Sequence, residues 1–178
     1  MKVQIIYDKN QIKKELNFIK ENIPHFKKNK MFFYFPFESI LDNSIIDEQI
    51  KNDEKKFKIR EIEKKLLDEW TKKEKTVFNL LEKYNKKNKC LDIKKRYHCF
   101  LTFYGCYGYY DYPDKIFINV NVEIDFILET IIHELIHLFV YKKANSMEYS
   151  EIENLVDSIF IKSGLKNIFT KYENQIIN

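Results

Sequence analysis

Thr130-Ile131-Ile132-His133-Glu134-Leu135-Ile136-His137-Leu138 is the stretch on which the reading of this chain turns. Apolar residues recur through it and its flanks at helical spacing, and it contains the pattern H-E-x-x-H. Histidines four apart stand one turn above the other on one helix face, so both rings can reach a single metal ion. Glu134 is rotated by about 100° from His133 and only about 60° from His137. A carboxylate there points to the ion's open side without having to ligate, and can take a proton from the water the ion activates. On a helical wheel Ile127, Leu128, Ile131, Ile132, Leu135, Leu138 and Phe139 form one arc, with Thr130, His133, Glu134 and His137 opposite. The expectation is a helix with one face in the core and the other lining a cleft.

Working outward, the segment after this helix must complete the ligand set, because two histidines leave a catalytic zinc one protein ligand short. No histidine follows His137, so a third histidine downstream is excluded. The acidic candidates on the next predicted helix, Met147 to Ser163, are Glu148, Glu151, Glu153 and Asp157. Glu153 and Asp157 lie one turn apart beside the apolar stripe Ile152, Leu155, Val156, Ile159 and Phe160, where a residue faces a neighbouring helix. Gly164 punctuates the end of that helix.

H-E-x-x-H followed by a helix bearing E-x-x-x-D resembles the gluzincin branch of zinc metallopeptidases, the group that includes thermolysin-like enzymes. The resemblance spans about residues 98–163 and is short in its spacer. It implies a zincin-like fold with one zinc per chain, held by His133, His137 and Glu153. It implies Glu134 as the general base of peptide-bond hydrolysis, and Asp157 as the carboxylate that accepts the spare N–H of a ligand histidine. It also implies that a peptide or protein substrate adds as a strand to a sheet edge beside the metal. Gly105, Cys106, Tyr107, Gly108, Tyr109 and Tyr110 occupy the position of that edge in sequence order. The histidine that steadies the oxyanion in thermolysin-like enzymes has no counterpart. Tyr107, Tyr109, Tyr110 and Tyr149 are the hydroxyls available in its place.

Before the motif, Val3 to Tyr7 reads as a strand and Gln11 to Asn22 as a helix that Pro24 ends. The aromatic run Met31 to Phe37 reads as a buried strand. Ile45 to Lys87, free of Gly and Pro, reads as one long charged amphipathic helix or two in tandem, packed on the domain's own sheet rather than in a coiled coil. Tyr97 to Tyr104 reads as a strand. Lys115 to Val122 alternates, with Ile116, Ile118, Val120 and Val122 on one face and Phe117, Asn119 and Asn121 on the other. Strands and helices with the helices bunched late give an α+β class with a mixed or antiparallel sheet. The 178 residues read as a single domain: strands and a long helix in 1–97, a catalytic core in 98–163, and a C-terminal tail in 164–178.

Composition narrows the function classes. Lysine and arginine number 31 against 27 acidic residues, a net +4 that is too small and too dispersed for a nucleic-acid interface. No apolar run approaches a membrane span, and the first residues lack a signal-peptide core. Cys90, Cys99 and Cys106 have neither zinc-ribbon spacing nor an even count, which points to reduced thiols and a cytoplasmic protein. Cys106 reads as a packing residue, and His25 and His98 as histidines without a spaced partner. The rival to a peptidase is a non-catalytic zinc- or protein-binding module. A further alternative is a latent peptidase whose residues 1–97 cover the cleft.

Overall fold

The computed structural model describes residues 2–37, 43–170 and 172. Its elements run β1 (Lys2–Ile6), α1 (Lys9–Lys28), α2 (Asn43–Lys56), α3 (Ile59–Asn88), β2 (Arg96–Thr102), β3 (Gly108–Asp111), β4 (Lys115–Asn119), α4 (Ile124–Ala144) and α5 (Tyr149–Lys162), with a 3-10 turn at Leu165–Asn167. Among the described residues this is an α+β fold of five helices and one four-stranded mixed sheet, ordered β1-β2-β4-β3. β1 and β4 flank β2 in parallel, and β3 closes the edge antiparallel to β4. None of the described helices is long and apolar enough to cross a membrane.

Strand alternation decides which side chains meet which layer. Ile116 and Ile118 pair with Tyr110 and Gly108, and this face turns toward α4. Tyr97, on the same face, stacks its ring against Phe139 of α4. Phe117 and Tyr109 project from the other face, where Tyr109 meets Phe18 and Glu15 of α1. α3 packs beside α4 and along β1. There the Trp70 indole N–H donates to Glu74, and the same carboxylate oxygen accepts from the Val3 amide.

Three local readings are corrected, and one that the sequence left open is decided. Pro24 does not end α1, which runs on to Lys28. The missing N–H costs one helical hydrogen bond, while continuing the helix seats Phe26 in the core at 5% exposure. Met31 to Phe37 is not a strand: only Tyr34 pairs, with Gly105. Its aromatic rings instead stack among themselves and on Tyr104 and Phe26. The long charged segment is two helices, parted at Phe57 and Lys58, with Lys58 left-handed at φ 50°. Finally, α4 has no free face, since β3 and β4 cover one side and α3 and α5 the others, so every residue from Ile127 to Val140 is buried.

Two buried polar groups organise the segments around the sheet's end. Asp53 of α2, 2% exposed, accepts from Tyr104, Tyr34 and Gln49. Asn119, fully buried at the end of β4, donates to the carbonyls of Phe103 and Gly105 and so fixes the loop that delivers β3. Gly105 sits in that loop at φ +84°, a left-handed conformation that favours glycine. Of the tail 164–178, Leu165, Phe169 and Tyr172 return to the core, whereas 171 and 173–178 lie outside the described residues.

Candidate metal centre

His133 and His137 project from successive turns of α4 toward α5, which supplies Glu153. The two Nε2 atoms are 3.0 Å apart, and Glu153 stands 3.2 Å from His133 Nε2 and 3.3 Å from His137 Nε2. All three side chains are 5% exposed or less. Three Lewis-basic groups facing one another in a dry interior are repulsive unless protons or a cation lie between them. Glu153 Oε2 is buried, with the His133 ring nitrogen 3.2 Å away. Metal bonds of about 2.0–2.1 Å at tetrahedral angles separate neighbouring ligand atoms by about 3.3 Å, so these spacings suit one shared ion. His133, His137 and Glu153 can hold a metal ion.

α5 is started by Glu151, whose carboxylate accepts from the Glu148 amide, and it ends as Gly164 turns to φ +90°. This register puts Glu153 and Asp157 inward, while Glu148 and Glu151 stay exposed. Burial alone would raise the Glu153 carboxyl. The two imidazole rings within 3.3 Å outweigh it and lower the group to about 2.

Glu134 lies beside this cluster and below β3. An ideal Cβ added at Gly108 would come within 2.9 Å of Glu134 Oε1 and 2.6 Å of Thr130 Cγ2, so glycine here lets the edge strand press onto α4. Burial pushes the Glu134 carboxyl up to about 7; the charge of His133 pulls it down and that of Glu153 adds to the rise.

The sequence-derived edge residues divide. Gly108 and Tyr110 face the centre, and the Tyr110 ring stacks on His137 with centroids 5.1 Å apart. Tyr109 turns away to Glu15. Gly105 and Tyr107 precede β3, with Tyr107 held between Phe32 and Phe126. Burial, and then the Glu134 charge, push the Cys106 thiol up to about 12, and it contacts the Gly108 carbonyl as a protonated group. Of the four tyrosine hydroxyls, those of Tyr110 and Tyr149 lie nearest the ligands: both are held above their ordinary range by burial first, with Glu153 and Glu134 adding to it.

Asp157 is reached through a residue that sequence reading passed over. The Tyr172 hydroxyl donates to Asp157 Oδ1 and also meets His133 Nδ1 at 3.2 Å. The Tyr172 ring lies flat on Phe160, centroids 3.7 Å apart. The only sequence signal was a tyrosine eight positions beyond the punctuating Gly164, without periodicity to mark it. No known protein family matches this chain, and neither does any curated protein or solved structure.

Proposed function

We propose that the chain is a zinc-dependent hydrolase acting on peptide bonds, with His133, His137 and Glu153 as ligands and Glu134 as general base. The observation that carries the proposal is the convergence of the three ligand groups within 4.8 Å in the interior, with an ionisable carboxylate next to them. Two imidazoles and a carboxylate suit zinc among the common divalent ions. A bound zinc would polarise a carbonyl and acidify a water.

The chain's own residues do the rest. Glu134, held at about 7 by burial, can accept a proton at neutral pH and return it to a leaving amine. Glu153, held at about 2, stays anionic and offsets the ion's charge. Tyr110 fixes the His137 ring by stacking, and β3, the terminal strand among the described residues, offers an edge on which an extended peptide can align.

A second reading, an ion-holding site without turnover, is favoured by the burial of all four side chains. A surface groove runs elsewhere, along Lys65, Asp68, Glu69, Lys72, Ile124 and Asp125. Contacts from α1 reach β3 through Tyr109, on the face turned away from the centre.

Metal analysis of the purified protein, together with digestion of a peptide library with and without chelator, separates the readings. The expected result is about one zinc per chain, lost in Glu153→Ala, with chelator-sensitive cleavage. Glu134→Gln should keep the zinc while losing about 100-fold or more in turnover. Near wild-type cleavage by Glu134→Gln would sink the mechanism. Zinc without cleavage at any pH would leave the binding reading.

A further inference from the structure

The contact between His133 and the C-terminal segment has a direction. Tyr172 has one hydroxyl proton, and that proton goes to Asp157 Oδ1. The hydroxyl oxygen therefore turns lone pairs to its other neighbour, His133 Nδ1 at 3.2 Å, which must carry a proton to make the bond. A neutral imidazole protonated on Nδ1 has its lone pair on Nε2, the atom facing His137 and Glu153. Among the described residues His137 has no such partner, since its Nδ1 is buried and takes part in no hydrogen bond. The two histidines are thus prepared unequally.

We propose that Tyr172 is a positioning residue which, by relaying the demand of Asp157, locks His133 in the Nδ1–H tautomer and holds its Nε2 ready to ligate. This rests on the reading of the triad as a metal site, and it adds that the centre is complete only when the segment carrying Tyr172 is docked. Docking is secured by Tyr172 lying on Phe160 and by Phe169 and Leu165 in the core. His133 is then prepared before any ion arrives, whereas on its far side His137 meets the stacked Tyr110 ring.

The test uses the full chain labelled with nitrogen-15 at histidine. In the metal-free wild type, the His133 resonances should report a proton on Nδ1. Tyr172→Phe keeps the ring on Phe160 and removes the oxygen. It should abolish that preference and weaken zinc binding about 10- to 100-fold, measured by competition with a chromophoric chelator. Asp157→Ala frees the Tyr172 proton to turn toward His133, and should move the imidazole proton to Nε2. A wild-type His133 protonated on Nε2 would overturn the proposal whether or not either variant folds. So would a Tyr172→Phe protein with unchanged tautomer and zinc affinity. If the wild type binds no zinc, the metal reading fails, yet the tautomer measurement still decides the role of Tyr172.

Discussion

Folding moves the Glu134 carboxyl from its ordinary 4.5 to about 7 and the Glu153 carboxyl from the same value to about 2. The signs differ, and so do the consequences for stability. For Glu134 the native state binds the proton more tightly than the unfolded chain. Stability therefore falls as pH rises from about 4.5 to about 7, and the full penalty, about 3 kcal/mol, is present above that. For Glu153 the contribution is whole above about 4.5 and is lost as pH falls toward about 2. Glu134→Gln removes the charge, so in metal-free protein it should gain about 1–3 kcal/mol on wild type between pH 5 and pH 8, measured by chemical denaturation. A stability difference that does not change with pH would contradict the burial account. At this scale the sequence was explicit where partners are local: His133, Glu134 and His137 sit on adjacent turns of one helix, so spacing alone brings them together. Position beside the apolar stripe narrowed four acids to Glu153 and Asp157, and only the family resemblance chose Glu153, because the choice depends on how α5 rolls against α4. Tyr172 could not be found at all, as its contacts are made across 15 and 39 positions of chain.

Between elements, β3 approaches α4 closely because Gly108 has no side chain. A methyl there meets the stiff, β-branched Thr130 at 2.6 Å, so the strand or the helix must shift. Gly108→Ala should cost about 1–3 kcal/mol in thermal or denaturant unfolding. It should also reduce any peptidase activity more than zinc content, because the clash falls on Glu134 and not on the ligands. Equal stability and activity in that variant would show that the strand has slack. Most elements were legible from periodicity, including the helix bearing the motif and β4, whereas β3 was expected only through the family resemblance. The misreadings share a cause, namely tertiary contacts outweighing a local signal. Pro24 is carried inside a helix that buries Phe26. The run Met31 to Phe37 satisfies its rings in an aromatic cluster instead of a ladder. Lys58 parts α2 from α3 with neither Gly nor Pro to announce it, which is why one helix and two in tandem both stayed open in the sequence.

For the molecule as a whole, the centre lies between α4, α5 and the returning C-terminal segment, so an ion bound there would tie three separate parts of the chain. Ligand binding to the native state alone adds about 4 kcal/mol at a thousandfold excess over Kd. In a chain of this size each kcal/mol moves the melting temperature by about 2–4 °C. Zinc should therefore raise Tm by roughly 8–16 °C, reversibly with chelator, and Glu153→Ala should remove the effect. An unchanged melt in excess zinc would identify the triad as a proton-linked cluster. Trp70 offers a complementary view of the same molecule. It is the only tryptophan in the chain, it is 1% exposed, and its indole shares the Glu74 carboxylate with the first strand. Intrinsic fluorescence thus belongs to the seam between α3 and β1, and its emission stays blue while that seam is shut. The protein carries a built-in optical gauge of its N-terminal half, so light reads the seam between α3 and β1 while heat reads the structure as a whole.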